Sequence, residues 1–271
     1  MGRAKEIVVK VIPAKIANEF MKQHHYSGKV VQNSSLHFGC FLDQKLHGVL
    51  SYGSPLDKSK VLHLVQPSLW NEMLELNRMA FDEYLPKYSE SRCIAISVRL
   101  IKKNAPHIKW ILSFSDATQC GDGTIYRASG FSLTGIVQNK NTCELPSGEV
   151  VHKMTLESSP LRSRPELKGD TYYQLTGGKY DFQKYVKATG GRVLPGFQMR
   201  YILVLDKTAK ITVPEIPYSR IKEIGASMYR GQRVEVAANE KQHADEALPE
   251  VRLASSQEEG FDSTHPLKII K

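Results

Sequence analysis

Residues 75–131 read ELNRMAFDEYLPKYSESRCIAISVRLIKKNAPHIKWILSFSDATQCGDGTIYRASGF. ELNRMAF at 75–81 has the composition of a strand. SESRCIAISVRLIKK at 89–103 carries Ile94, Val98 and Ile101 at helical spacing, with Ser89 or Ser91 as cap, Glu90 in the first turn and Pro106 beyond its end. IKWILSF at 108–114 is apolar and strand-like, and GDGT at 121–124 turns into a short helix that ends at Gly130. Strand, helix, strand and helix in one short segment predict an α/β sheet. Arg78 lies within the first strand, Asp116 follows the second, and Tyr126 lies on the last helix. Ligands of open α/β sheets sit at the carboxyl ends of strands, so these side chains form a candidate site.

Before this segment, residues 6–12 predict a first strand. PAKIANEFMKQ predicts a helix with Ile16, Phe20 and Met21 on one face and Gly28 as stop signal. LHFGCFLD and LHGVLSYG predict a hairpin turning near Gln44, and QPSLWNEML a short helix. After it, residues 132–138 and 150–156 predict two more strands. This order matches the GCN5-related acyltransferase fold, a mixed sheet flanked by helices. In that fold two parallel central strands splay into a V where donor and acceptor meet. Here those strands are LELNRMAF and KWILSFSD.

Three parts are expected: a catalytic core over 1–158, a basic, aromatic extension over 159–232 packing on it, and a disordered tail over 233–271. Tyrosines interleaved with basic residues in the extension suit contact with a nucleic-acid backbone and bases, or an added strand layer completing the core. The chain has 271 residues and a net charge of +9, which reads either as a surface for a polyanionic partner, most simply nucleic acid, or as a solvated basic surface. Cys40 and Cys93 sit in apolar runs and read as reduced core residues; the four cysteines include no CxxC pair. The N-terminus lacks a signal-peptide layout, and no segment is apolar enough to span a bilayer, so a cytoplasmic location without membrane contact is expected.

Each candidate residue has more than one reading. His25 beside Tyr26 is an acid/base pair, half of a metal site, or a helix-end structural histidine. Arg78 in an apolar strand needs a buried partner or an anionic ligand. Asp116 can accept from an exocyclic amine or act as base; alternatively it makes an Asx turn. Tyr126 can protonate a leaving group, or fill the core. The other histidines show no metal-ligand spacing. The usual donor loop of this fold is glycine-rich and holds the coenzyme A pyrophosphate at a helix start. No glycine occurs between Gly53 and Gly121, and SESR at 89–92 stands where the loop should be.

HHYSG at 24–28, ELNRMAF at 75–81, SESR at 89–92, SFSDA at 113–117, GTIYRASGF at 123–131, LPGFQMRYILVLD at 194–206 and IPYSR at 216–220 resemble the Mom family of bacteriophage DNA-modification proteins. The resemblance implies a GCN5-related fold acting on adenine in double-stranded DNA in the host bacterial cytoplasm. The implied reaction adds a carbamoylmethyl group to the 6-amino nitrogen and shields phage DNA from restriction. It also implies functional roles for His25, Tyr26, Arg78, Ser91, Asp116 and Tyr126; in our own reading Asp116, Tyr126, His25 and Tyr26 surround the chemistry, Arg78 and Ser91 hold the donor, and the SESR serines with Arg92 are candidates to hold a phosphate at the helix start.

The product also bears on the donor. A glycyl donor, such as glycyl-tRNA, would first give an N-glycyl adenine. Attack of its free amine on the ring carbon, with expulsion of the original nitrogen, yields the carbamoylmethyl product without a redox step. Acetyl-coenzyme A would instead require oxidative chemistry, for which Fe(II) on His25, Tyr26 and Asp116 is the candidate. The competing expectations are an ordinary acetyl-coenzyme A-dependent transferase on a small amine or protein lysine, and a non-enzymatic DNA-binding module.

Overall fold

The structure is a computed structural model and describes residues 3–119, 121–229 and 232–233. The described residues fall within one unit, 1–235. The expected disordered tail over 233–271 lies, apart from Arg233, outside the described residues.

Seven strands form the main sheet: β1 (Val8–Val11), β2 (Ser34–Leu42), β3 (Lys45–Gly53), β4 (Met73–Phe81), β5 (Trp110–Asp116), β6 (Ser132–Gln138) and β7 (Phe197–Val204). Their order is β1-β2-β3-β4-β5-β7-β6. The β2–β3 hairpin turns through Asp43 and Gln44, both at positive φ (49° and 63°), which matches the twist of the strands it joins. Among the described residues, β4 and β5 are the only parallel neighbours of this sheet. They pair only over Met73–Glu75 and Trp110–Leu112 and then diverge. At the fork the Ser113 hydroxyl donates to the Leu76 carbonyl at 3.3 Å, satisfying an acceptor that the ladder abandons. The expected V between LELNRMAF and KWILSFSD is therefore present, and the strand order is that of the GCN5-related acyltransferase fold.

Helix α1 (Ala14–His24) covers one face of the sheet, where Ala17, Phe20 and Met21 pack with Ile12, Val49 and Ala80. Ile16, expected on that face, is 43% exposed; Ala17 takes its place because the stripe is one residue out of phase with the apolar pattern. Helix α2 (Ser89–Asn104) and the short α3 (Thr124–Ala128) lie on the other face, where Cys93, Ile94, Ile101 and Tyr126 join Leu76, Ile111 and Tyr201. Cys40 and Cys93 are buried free thiols in that cluster.

Three local expectations fail. Residues 66–74 form no helix: the chain makes bends after a cis Gln66–Pro67 bond and enters β4 directly. Neither Ser89 nor Ser91 caps α2. Tyr88 is its N-cap, in the left-handed region at φ 69°, and the Ser89 hydroxyl is spent on the Pro86 carbonyl. The strand expected over 150–156 stops at His152, whose ring accepts the Met154 amide and so starts α4 (Lys153–Glu157).

The strand from the expected extension lies inside the sheet: β7 runs antiparallel to both β5 and β6. Residues 139–196 are an insertion between β6 and β7. It carries α4, α5 (Tyr172–Thr176), α6 (Phe182–Thr189) and a three-stranded sheet of Thr142–Glu144, Val150–His152 and Arg192–Val193. Its own core contains Cys143, Leu156, Leu167, Tyr172, Phe182 and Tyr185. Thus the aromatic residues of this stretch mostly build a second core. Tyr173 and Tyr180 remain about half exposed, at 51% and 55%.

Candidate active site

The V places its chemistry by strand parity and by one irregularity. In β5, Trp110, Leu112 and Phe114 belong to the cluster on the α1 side, and Asp116 continues their alternation. In β4, Glu75 and Arg78 are three apart and would point to opposite faces of a regular strand. The register with β3 shifts between Leu76↔Tyr52 and Arg78↔Ser51, so Asn77 is an extra residue. Leu74 and Leu76 pack on the α2 side before the bulge and Met79 and Phe81 after it, whereas Met73 and Ala80 pack on the α1 side. Glu75, Arg78 and Asp116 consequently share the α1 face at the mouth of the V.

His25 arrives from the end of α1. It is 9% exposed, its amide donates to the Met21 carbonyl, and Nδ1 accepts the Ser27 amide at 3.2 Å and lies 2.8 Å from the Ser27 hydroxyl. Gly28, at φ 58°, completes the turn that the sequence marked as a stop. Burial, and then the Arg78 charge, lower the His25 pKa to about 4, so the ring is neutral at pH 7. Tyr26 is 49% exposed, with its ring 4.2 Å from that of His25.

Asp116 combines both of its readings. Oδ1 accepts the Thr118 amide at 3.0 Å, the Asx turn, and the Asn139 side-chain amide at 3.2 Å. The carboxylate is thereby fixed in orientation at the end of β5. Glu75 differs: burial raises its pKa from 4.5 to about 7, against the opposing effects of Asn77 and Arg78. A carboxyl that changes protonation near neutrality, at the fork of the V, is a better proton acceptor than one already engaged. Sequence reading passed over Glu75, the first residue of ELNRMAF, because nothing in the sequence marks a strand glutamate as buried. His152 of the insertion was missed for the same reason. It is half-buried, its pKa is lowered by burial, and the charges of Asp116, Lys29 and Arg78 all bear on it.

The structure separates the remaining candidates from this group. Tyr126 is 8% exposed and lies on the α2 face, with its ring 5.2 Å from Tyr201 and 5.5 Å from Phe131. Ser91 donates to the Tyr88 carbonyl at 3.3 Å, and Arg92 to the Lys5 carbonyl at 3.1 Å.

The start of α2 does not fit a coenzyme A pyrophosphate. Glu90 places a carboxylate in its first turn, the N-cap is a non-glycine Tyr88, and Arg92 is turned to the N-terminal backbone. For iron, His25, Tyr26 and Asp116 supply only two side chains of the commonest ligand types, His25 Nδ1 is engaged with Ser27, and no group of three His, Cys, Asp or Glu side chains converges among the described residues.

A model of the Mom protein family matches residues 6–220. The chain belongs to the Mom family. Methylcarbamoylase mom of Escherichia phage Mu is 33% identical to this Mom-family chain over 156 residues, which is 57% of the chain and 64% of that protein. The match thus spans somewhat less than two thirds of the relative's length. Among solved structures, a Bacillus subtilis acetyltransferase in complex with CoA covers 74% of this chain and 99% of its own, at 11% identity and a TM-score of 0.38. A GNAT-family acetyltransferase from Elizabethkingia anophelis with acetyl-CoA bound covers 73% and 98%, at 12% identity and 0.38. For this Mom-family chain the fold is carried by its own strand order and fork.

Proposed function

We propose that this protein modifies DNA: it converts adenine in double-stranded DNA to the 6-amino-carbamoylmethyl derivative and so protects phage DNA from restriction in the host cytoplasm. Family membership and the named activity of the phage Mu relative support the reaction class. The observation that carries the site is the gathering of Glu75, Arg78 and Asp116 on one face of the V beside a neutral His25.

In this reading the target adenine leaves the base stack and enters from the α1 face. Asp116, held by Thr118 and Asn139, accepts from the exocyclic amine and orients it. Glu75 receives the proton as the new bond to the amine nitrogen forms. Tyr26 and His25 border the base. Tyr126, across the V, returns a proton to the leaving oxygen of the donor, with Ser91 on the same side. A glycyl donor such as glycyl-tRNA suits these groups: aminolysis releases the donor hydroxyl, and the subsequent rearrangement is an isomerisation. Acetyl-coenzyme A as donor is the second reading, favoured only by the GCN5-related fold.

The test is mass spectrometry of nucleosides from plasmid DNA after expression in bacteria. A deoxyadenosine carrying the carbamoylmethyl mass, absent with Asp116→Ala, is expected. Unmodified DNA from a folded protein would refute the reaction and favour the acetyltransferase or binding-module readings. For the donor, DNA with a labelled 6-amino group decides: label retained on the ring rules out the rearrangement.

A further inference from the structure

Three cations stand around the acceptor side of the V without a carboxylate at ion-pair distance among the described residues: Lys29, Arg78 and Arg162. They come from three separate segments. Lys29 follows the His25 turn, Arg78 is on β4, and Arg162 is in the insertion just past α4. The fold holds them together. The Lys29 ammonium donates to the Thr155 hydroxyl at 2.8 Å, tying the core loop to α4. The buried Arg164 guanidinium donates to the carbonyls of Thr155 and Ser159, at 3.2 and 3.4 Å, and pins the segment that carries Arg162. The charges of Arg162, Arg164 and Arg78 all bear on Lys29, against Glu149 alone on the other side.

Gathering like charges costs free energy, and the carboxyls of Glu75 and Asp116 on this face lie beyond ion-pair distance of all three. Arg78 sharpens the point, because its Nε is buried and has no hydrogen-bond partner. A buried N–H with no partner calls for an acceptor oxygen, and planar N–H pairs match phosphate oxygens. The exposed Tyr26 ring beside this trio offers a face for a base, so anion and base recognition are adjacent.

We infer that Lys29, Arg78 and Arg162 form a phosphodiester seat, in which the insertion and the core grip the backbone of the DNA strand flanking the flipped adenine. This rests on the proposed DNA substrate and deepens it. It moves Arg78 from the donor to the acceptor strand and makes the insertion one wall of the DNA cleft.

The test is the affinity of the full chain for a DNA duplex, measured by fluorescence anisotropy across a salt series. Each phosphate contact adds about 0.9 to the slope of log affinity against log salt. Lys29→Gln and Arg162→Gln, both at exposed positions, are expected to reduce that slope by about 0.9 each, and the double variant by about 1.8, whereas Lys45→Gln at the β2–β3 turn leaves it unchanged. Salt-dependent duplex affinity with wild-type slopes in the Lys29 and Arg162 variants overturns this inference alone. A wild-type chain without salt-dependent duplex affinity overturns the proposed function as well. Loss of affinity for an RNA donor but not for duplex DNA in these variants also overturns the inference, by giving the seat to the donor.

Discussion

The Asn139 side-chain amide donates to Asp116 Oδ1 at 3.2 Å and lies 3.4 Å from the Thr118 hydroxyl. Asn139 is the first residue of the insertion, and its own amide donates to the carbonyl of Gly196, the last. Both hinges of the insertion thus meet at the end of β5, and the orientation of Asp116 depends on a segment that is not part of the sheet. Asn139→Ala is expected to cost about 1 kcal/mol of stability and to reduce modification about 10- to 100-fold through misplacement of Asp116. Asn139→Asp should be worse, since it sets carboxylate against carboxylate. Thermal unfolding and nucleoside mass spectrometry check the two effects; wild-type activity in Asn139→Ala would detach Asp116 from this support.

The other hinge is a close approach. A Cβ on Gly196 would lie 1.8 Å from the Thr118 hydroxyl oxygen, and Thr118 is fully buried. Gly196→Ala is expected to destabilise by about 1–3 kcal/mol. Denaturant unfolding gives the number, and a change below 0.5 kcal/mol would mean that the hinge yields freely.

Glu75 and His25 make opposite contributions to stability with pH. The Glu75 pKa is raised from 4.5 to about 7, so its neutral form favours the fold and that stability is lost as pH rises through this window. The His25 pKa is lowered from 6.5 to about 4, so its neutral form favours the fold and stability is lost as pH falls through that range. Glu75→Gln should therefore flatten the loss of thermal stability between pH 4.5 and 7. It should also abolish the rise of modification rate near pH 7 if Glu75 is the base. An unchanged pH–rate profile would return that role to Asp116. For His25, the ring proton shifts in a ¹H–¹⁵N spectrum should show no titration between pH 8 and 6.

Tyr126→Phe keeps the ring against Phe131 and Tyr201 and removes only the hydroxyl. Loss of a general acid typically costs 10²- to 10⁴-fold in rate, with the melting temperature nearly unchanged. Full activity in this variant would leave Tyr126 as a core residue only.

The strands, the two main helices and the V were legible in the sequence because apolar periodicity records burial. Residues 132–138 and 89–104 fold as their patterns predict. So were Arg78 and Asp116, since a cation inside an apolar strand and a carboxylate at a strand end are visible without coordinates. What could not be read depends on pairing across long sequence separations. The bulge at Asn77 is set by the register with β3, so the shared face of Glu75 and Arg78 has no local signal. The insertion of β7 between β5 and β6, which frees residues 139–196 to pack a separate core, likewise has no local mark.

The sequence by itself determined a basic α/β chain, from its charge and its apolar periodicity, with a candidate site at the ends of two strands. Tertiary structure decided which charges face one another. It put Tyr126 on the opposite face from Asp116, brought His152 and Arg162 toward Lys29, and gave Glu75 its raised pKa. The physical reason is that burial and charge proximity belong to the packed arrangement, and a side chain's chemistry follows its surroundings.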